Sequence, residues 1–562
     1  MTAKQRSPKI KKGLIIAGIV IAVIVILIFT ANTIVERLIM NEIRSQLGNS
    51  TEAYIIETGK LDVNIASASA KIKGAHIYPS DTGLIMLRNH EIPLLVDVNV
   101  GNFSLKHIDI LGLLKNKEFD IGEIAGTDIQ AKITLGKTKK DTTRNQQKSF
   151  QSLFKETFKK AQISSFNLNK IRLSLFALKD SADPFFELDS LGLSIGDILI
   201  DQQTLSHTIP LNFNQLKLVT GGLFYEASEF YNLSTTEIAL NIQDSSLNIT
   251  GLKLSPRYGR EEYNRIKDYN SDLFEISVPN IGLNNLHYKD YDTSRLIHFS
   301  SIEIDEPNIS IYRDKTLPDA PFDYKPLLAG ALRRIPVKVL VDTIRIAGER
   351  LQYEEKVHEQ LPPGKVFFDP FYISAYHVTN HEPSIHAMDE MHIDFSGRIM
   401  AKTNLSAHLK IDLAGNYEQF SISGELGSVD ATVFNPVIEN LLLVSIESGD
   451  IKSASFRFSA NDERSNGKLN LFYENLKIEV LEEDDKSKST PAMSFVANNV
   501  VRNKNLKDDR KYLVGTIGFE RRKDKAIVNF LWNSVKTGIV PVIAPIAAEN
   551  EKQKVKTRKK KK

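Results

Sequence analysis

Residues 13–35 form one uncharged apolar stretch near the start of the chain. An α-helix rises ~1.5 Å per residue, so a stretch of this length can cross a hydrocarbon core of ~30 Å. A cleaved signal peptide would have a shorter apolar core and a small-residue cleavage site, which residues 30–33 supply poorly. The sequence therefore predicts an uncleaved transmembrane helix over 13–35, with a helical extension over 36–48.

The charges on either side of this stretch indicate its orientation. Residues 1–12 form a basic tail without an acidic residue, whereas residues 36–44 mix both signs. Positively charged flanks remain on the cytoplasmic side of a membrane. We therefore expect a single-pass protein with a cytoplasmic N-terminus and a body, residues 49–525, on the opposite side.

Composition limits what the body can be. The net charge is +3 and much of the positive excess lies at the two ends, so we expect no nucleic-acid partner. The chain has no cysteine, which excludes disulfides, thiolate nucleophiles and cysteine-based zinc sites. At ~150 residues per domain the length suggests three or four domains, but a repetitive β architecture would allow one continuous body.

The body shows period-two alternation of apolar and polar residues, with Gly, Pro, Asn or Asp between the runs, which is typical of half-buried strands. One spacing recurs: two apolar residues two apart, then a step of five, then two more apolar residues two apart. We consider five segments with this spacing: Phe166, Leu168, Leu173 and Leu175; Leu240, Ile242, Leu247 and Ile249; Ile302, Ile304, Ile309 and Ile311; Ile344, Ile346, Leu351 and Tyr353; and Leu469, Leu471, Leu476 and Ile478.

A hairpin explains this spacing. In an antiparallel hairpin, the numbers of two residues that face each other always add up to the same value. Leu168 would therefore face Leu173, Phe166 would face Leu175, and all four would share one face. The residues between them are polar in every segment, and turn formers such as Glu306-Pro307 stand at several centres. We therefore expect antiparallel hairpins with one apolar and one polar face.

An apolar sheet face must be hidden, and few helices are available to hide it. The candidates are residues 147–161, short turns near 327–334, and residues 435–444. The first would cap a sheet edge or lie on a membrane surface. With so few helices, the sheet either folds into sandwiches or curls into a long trough whose apolar lining meets something else.

The C-terminal segment, residues 526–548, carries a single charge, Lys536. Its composition leaves three alternatives open: an interfacial or re-entrant segment, a second membrane span, or burial in the protein. For the interfacial case we expect Trp532, Phe530 and Ile539 to contact the membrane. The basic tail, residues 549–562, would attract anionic lipid or serve as a disordered solubilising tail.

Sequence patterns that resemble catalytic motifs fail on their context. Residues 131–138, AKITLGKT, have one glycine where a phosphate-binding loop needs several, and GLSIG at 192–196 continues a strand face instead of turning into a helix. The histidines are scattered, and no metal signature is present. We therefore expect no catalytic residue, no metal site and no cofactor, and a protein that is not an enzyme.

Several segments resemble the AsmA-like proteins of Gram-negative envelopes, relatives of the repeating β-groove, bridge-like lipid transfer proteins. They are IEIDEPNISIYRDK at 302–315, VDTIRIAGERLQYEE at 341–355, FNPVIENLLLVSIESGDI at 434–451 and GKLNLFYENLKIEV at 467–480. RKDKAIVNFLWNSVKTGI at 522–539 looks like the closing segment of Bacteroidetes-type members.

The resemblance implies a mostly β fold in which a long, curled antiparallel sheet forms an apolar groove, anchored in the inner membrane with its body in the periplasm. The twenty spaced residues would line the groove and contact phospholipid acyl chains. The implied role is lipid transport between the inner and outer membranes, in support of outer-membrane biogenesis, with outer-membrane or other envelope proteins as partners.

A rival expectation is a non-enzymatic structural or assembly factor, with a closed β core that acts through protein contacts. A conduit would keep its apolar stripe continuous from strand to strand, whereas closed sandwiches would interrupt it at domain boundaries. The proline-containing segment at 317–336 is the one candidate interruption, and it would be either a hinge or a lateral insertion.

Overall fold

The computed structural model describes residues 53–545 apart from 65, 110–111, 113–114, 137–153, 155–157, 179–182, 416–417 and 483–490. The expected transmembrane helix at 13–35, its extension at 36–48 and both basic tails lie outside these residues, as do residues 546–548. Within the described part of the chain, no helix combines the length and the hydropathy that a membrane span requires.

The fold is mostly β, with 57% strand and 17% helix. The strands are β1 Tyr54–Asn64, β2 Ser69–Pro79, β3 Leu94–Ile108, β4 Glu118–Leu135, β5 Lys160–Ala177, β6 Phe186–Leu188, β7 Leu191–Ile200, β8 Gln215–Thr220, β9 Leu223–Glu226, β10 Tyr231–Thr235, β11 Glu237–Asn241, β12 Ser246–Pro256, β13 Asp272–Leu286, β14 Leu296–Asp305, β15 Asn308–Asp314, β16 Lys338–Gly348, β17 Arg350–Lys356, β18 Gly364–Thr379, β19 Glu390–Ile399, β20 Thr403–Asp412, β21 Gln419–Leu426, β22 Val429–Asp430, β23 Val444–Asn461, β24 Arg464–Val480 and β25 Gly515–Glu520.

The helices of the described residues are short except for the last. They are α1 Asp81–Arg88, α2 Arg260–Lys267, α3 Tyr288–Ser294, α4 Leu328–Arg333, α5 Glu382–Ala387, α6 Asn435–Leu442, α7 Pro491–Val500 and α8 Ile527–Ile543, with 3₁₀ turns at Thr204–Ser206 and Ala431–Phe434. The helices expected near 327–334 and over 435–444 are confirmed by α4 and α6.

The chain divides into two compact units. Of the described residues, the first unit comprises those up to 226 and 235–244, and the second comprises 227–234 and those from 245 onward. In the first unit β1 to β4 form an antiparallel meander, and β5 lies parallel to β4. Strand β5 also pairs with β6 and β7, after which β7 pairs with β8 and β8 with β11.

In the second unit, β12 pairs with β10 and with the long strand β13. Strand β13 pairs with both β14 and β15, which lie parallel to β16 and β17 respectively. Strands β16 and β17 both pair with β18, and the sheet continues antiparallel through β19, β20, β21, β23, β24 and β25.

The expectation of a purely antiparallel sheet is therefore wrong, because three pairings are parallel. For two neighbouring strands to be parallel, the chain must return from the end of the first strand to the level at which that strand began. This connection, a crossover, usually takes a dozen residues or more. Residues 136–159 connect β4 to β5, and residues 315–337 connect β15 to β16. The proline-containing segment at 317–336 is thus most of the second crossover, and it contains α4.

Side-chain contacts hold this crossover against other parts of the second unit at several points. Leu327 donates its backbone N–H to Oε2 of Glu418 at 2.6 Å, and the hydroxyl of Tyr324 donates to Asp462 at 2.9 Å. Hydrogen bonds from Asn270, Lys525 and Arg522 hold the pKa of Asp319 well below its usual range. So many fixed contacts do not suit a hinge.

In four of the five segments the recurrent spacing does not mark a hairpin, which corrects the sequence expectation there. In β5 and in β24 the two apolar pairs follow each other along one strand. At 302–311 and at 344–353 they lie on two successive strands, each pair of which hydrogen-bonds to the single long strand β13 or β18. At 240–249 they divide between the two units.

A left-handed residue inside the strand explains the step of five. In a regular strand, an odd step places the second pair on the opposite face. Lys170 in β5 and Asn475 in β24 have φ of 53° and 58°, and one such residue reverses the alternation. Accordingly, Phe166 and Leu173 pack in the same hydrophobic cluster.

Helix α8 packs against β24 and β25, the last two strands of the second unit's sheet. Its buried face consists of Phe530, Ser534, Gly538 and Val542, spaced four residues apart, and it contacts β24 and β25. The ring of Phe530 lies 6.2 Å from that of Phe420. Of the three alternatives for this segment, burial of one helix face is what the described residues show.

We expect Gly515→Ala to destabilise the second unit. A Cβ at Gly515 would overlap the carbonyl oxygen of Gly538 in α8, whereas a Cβ at Gly518 in the same strand would meet nothing within 4 Å. Overpacking of this kind costs roughly 1–3 kcal/mol. Thermal unfolding followed by circular dichroism should show a lower Tm for Gly515→Ala and a nearly unchanged Tm for Gly518→Ala. Equal Tm values would contradict the close approach of α8 to β25.

Candidate functional site

Apolar residues of the second unit stand opposite one another from strand to strand. Side chains of directly opposed residues share one face of a sheet. One row contains Leu247, Leu283, Ile302, Ile344, Ala375, Ile393 and Leu409, and the next contains Ile249, Ile281, Ile304, Ile346, Ile373, Phe395 and Ala407. We call these two rows the apolar ladder.

A second, shorter set of rows uses the other ends of the same strands. It contains Leu254, Ile276, Ile309, Leu351 and Phe368 in one row, and Phe274, Ile311, Tyr353 and Val366 in the other. We call this set the short ladder. Both ladders cross the parallel pairings without interruption, so the crossover at 315–337 does not break them.

The opposite face of the sheet is polar. Between the two rows of the apolar ladder stand Asn248, Gly282, Glu303, Arg345, Ser374, Asp394 and His408. Arg345 lies 3.5 Å from Glu303, and Nδ1 of His408 lies 2.7 Å from Asp394. Beside the short ladder, Ser310 stands between Glu275 and Gln352 on the polar face. The sheet is therefore amphipathic, as the alternation predicted.

Burial of the apolar ladder changes along the sheet. Leu409 and Ala407 at the β20 end belong to a hydrophobic cluster, which also contains Phe530 and residues of the 315–337 crossover. The ladder side chains on β12 to β17 are only half-buried, and no hydrophobic cluster of the described residues includes them. Fully burying an aliphatic side chain contributes ~1.5–3 kcal/mol, so this part of the sheet leaves hydrophobic stabilisation unrealised.

The twenty residues that carry the recurrent spacing, which were expected to line a lipid groove, fall into three groups in the structure. Ten of them, on β12, β14, β15, β16 and β17, belong to the two ladders. Leu240 pairs with Leu218, and Ile242 donates its backbone N–H to Leu216, in the first unit. The remaining eight lie on β5 and β24. Five of these, namely Phe166, Leu168, Leu469, Leu471 and Leu476, are at most 9% exposed, which leaves little surface for a ligand.

The sequence analysis missed the ladder residues of β13, β18 and β19. Ile281, Leu283 and Ile373 are examples. Strands β13 and β18 in fact carry the same spacing, at Phe274, Ile276, Ile281 and Leu283 and at Val366, Phe368, Ile373 and Ala375, so the template applied along the whole chain could have found them. In β19 the available signal was plain alternation over Met391, Ile393 and Phe395.

Tyr353 gives the short ladder a polar edge. Its hydroxyl donates to Oε2 of Glu355 at 2.7 Å, and Glu355 also binds Nζ of Lys315 at 2.8 Å. Burial, together with the charge of Glu355, raises the pKa of Tyr353. The tyrosine therefore stays protonated, with its ring in the ladder and its hydroxyl held by the ion pair.

The three residues expected to contact a membrane have different environments. Trp532 is 59% exposed, and Val528, one turn earlier, is 71% exposed. Ile539 is partly buried against the cluster around Phe530. Phe530 itself is 2% exposed, so it faces protein and its expected role in membrane contact is wrong. The reason is that helical spacing places it on the face of α8 opposite to Trp532.

The GLSIG match lies in a strand, as its context indicated, and the first five residues of the AKITLGKT match end another strand. Ser194 is an exposed residue of β7, and its hydroxyl donates to Asn167 at 2.6 Å. Residues 131–135 are the end of β4. Of the expected helix at 147–161, only residues 154 and 158–161 are described. Because β5 begins at Lys160, the last two residues of that range belong to a strand. The ring of Phe158 packs 5.5 Å from that of Phe119.

Comparison with known proteins adds no family assignment. No protein-family model matches this chain, and no curated protein matches it.

Proposed function

We propose that this protein binds phospholipid acyl chains on the apolar face of its sheet and conducts lipid between the inner and outer membranes. It would be an AsmA-like protein, anchored in the inner membrane by residues 13–35 with its N-terminus in the cytoplasm and its body in the periplasm. The observation that carries the proposal is the apolar ladder on β12, β13, β14 and β16, which is continuous in register, half-buried and outside every hydrophobic cluster of the described residues.

The hydrophobic effect favours this occupant. An acyl chain gains ~0.8 kcal/mol for each CH₂ group it removes from water, and contiguous exposed apolar surface commonly marks an interaction site. The ladder offers aliphatic side chains in two parallel rows with no charged residue in either row. A ligand of this surface therefore needs to be apolar and extended, and it needs no specific polar recognition along its length.

Equivalence of successive strands favours movement along the ladder. Ile302, Ile344 and Ala375 occupy the same position on neighbouring strands, as do Ile304, Ile346 and Ile373. An acyl chain that shifts by one strand exchanges one aliphatic contact for a similar one, so the free energy changes little. Polar head groups would remain in water at the open side of the sheet.

One observation favours the alternative, an assembly factor with a closed core. On β20 to β25 the apolar face is covered by α8 and by the 315–337 crossover, and Phe458 and Leu469 are at most 2% exposed. This part of the second unit has the dry core that a scaffold needs. The two functions differ in what the half-buried part of the ladder contacts in cells.

We expect a photo-crosslinking residue at Ile309 to form phospholipid adducts in cells, and one at Ser310 to form none. The two positions are adjacent in β15, but Ile309 belongs to the short ladder while Ser310 stands on the polar face. Adducts are measured by mass spectrometry of the purified, irradiated protein.

A third crosslinker at Phe458, which is 2% exposed, controls for trapping of lipid in a closed core. Absence of adducts at Ile309, Ile304 and Ile346 in a folded protein would exclude the conduit and support the scaffold. Equal adducts at Ile309 and Ser310 would indicate non-specific membrane contact.

A charge placed in the middle of the ladder should block lipid. Ile373 opposes Ile346 on one side and Phe395 on the other, so Ile373→Asp puts a carboxylate where an acyl chain would lie. Because desolvating a carboxylate is costly, we expect the lipid adducts of a crosslinker at Ile304, in the same row as Ile373, to fall at least tenfold. The matched control is Ser374→Asp, whose side chain stands on the polar face between Arg345 and Asp394. Equal adduct yields in the two variants would contradict the proposal.

A further inference from the structure

The connection between β13 and β14 brings two histidines side by side. His287 donates its backbone N–H to the carbonyl of His298 at 3.0 Å, so the two residues oppose each other across the strands. Their rings stack with centroids 4.0 Å apart and an interplanar angle of 12°. Two carboxylates approach the same place, from Asp290 in α3 and from Asp342 in β16.

The ring of His298 has one satisfied and one unsatisfied nitrogen. Nδ1 lies 2.9 Å from Oδ2 of Asp290, whereas Nε2 is buried and has no hydrogen-bond partner. The side chain as a whole is 16% exposed. With Nδ1–H donating to Asp290, Nε2 presents a buried lone pair. A carboxylate that fixes the tautomer in this way is the usual partner of a metal-ligating histidine.

The nearest acidic oxygen to Nε2 fits a shared metal ion. Oδ1 of Asp342 lies 3.6 Å from Nε2, too far for a hydrogen bond. Two ligand bonds of ~2.1 Å to one ion span this separation at an angle of about 120°, which is close to what a zinc site uses. His287 is exposed, and a ligand atom from each of His287, Asp290 and His298 lies within 4.8 Å of the others, so a further ring nitrogen is available near His298.

We propose that this place binds a divalent transition-metal ion of the zinc class. The ligands are Nε2 of His298, the carboxylate of Asp342 and a ring nitrogen of His287, with water in the remaining position, and Asp290 orients His298. Imidazole and carboxylate ligands suit zinc, whereas Mg²⁺ and Ca²⁺ prefer oxygen alone. His287 must turn out of the ring stack to bind, which its exposed side chain permits. The ion would connect β13, β14 and β16.

Another arrangement satisfies the same groups without a metal: a protonated His298 between two carboxylates. The two cases differ in what they bind. An imidazolium held by Asp290 and Asp342 has no lone pair and repels a divalent cation. The metal site takes up one ion and releases any proton that Nε2 carries.

The test uses the purified full-length protein, without a histidine tag and treated with a chelator, at neutral pH. We expect one equivalent of Zn²⁺ to bind in calorimetry, and one equivalent of Co²⁺ to give the visible absorption bands of tetrahedral coordination. His298→Gln should lower the Zn²⁺ affinity at least 100-fold, and Asp342→Asn or His287→Ala at least tenfold. His287 and Asp342 are exposed, so these two variants keep the test valid if His298→Gln does not fold.

His408→Ala is the matched control. Nδ1 of His408 also meets a carboxylate, that of Asp394 at 2.7 Å, but its side chain is 63% exposed. This variant should bind Zn²⁺ as the unmodified protein does. No saturable Zn²⁺ binding, or equal affinity in His408→Ala and in the three site variants, would overturn the proposal. The readout does not involve lipid, so its failure and that of the lipid proposal are distinguishable.

Discussion

The structure depends on the register between neighbouring strands. Along the apolar ladder, from β12 to β20, the register places apolar residues opposite apolar residues, and the residues between the two rows oppose polar residues or glycine. A slip of one residue in any pairing would move a whole strand's apolar set to the polar face, for example Ile302 into the row of Glu303. Because such a slip exposes apolar groups and buries charged ones, one register is strongly favoured.

The same constraint explains why one part of the sheet is covered and another is not. Parallel pairing of β14 with β16 requires a crossover, and the crossover carries Leu327 and α4 to the apolar face near β20 and β21. Helix α8 covers the strands beyond, where Gly515 and Gly538 let it approach closely. The ladder residues of β12 to β17 belong to no such cluster, so a ligand can reach apolar surface there without the covered part opening.

Local pattern predicted the strands, the two faces and the helices near 327–334 and 435–444, because each depends on residues close in sequence. It did not predict pairing. A step of five between Ile304 and Ile309 fits a hairpin as well as an interrupted strand, and only the distant strand β13 decides between them. Likewise, no neighbouring residue in the sequence indicates which of Phe530 and Trp532 will be buried against the sheet. His287, His298 and Asp342 are separated in sequence, so their approach required the tertiary fold.

Left-handed residues interrupt the alternation of faces without a loss of this register. In the first unit, Asp128 of β4 and Lys170 of β5 have φ of 58° and 53° and stand at equivalent positions, between the pairs Thr127 with Asn169 and Ile129 with Ile171. A non-glycine residue in this region costs roughly 1–2 kcal/mol, less for aspartate. A left-handed residue in one strand alone would put the later side chains of that strand out of phase with those of its neighbour, whereas such residues at matched positions keep opposed side chains on one face. We therefore interpret the matched residues as what keeps the apolar side chains before and after them, such as Phe166 and Ile171, in one hydrophobic cluster.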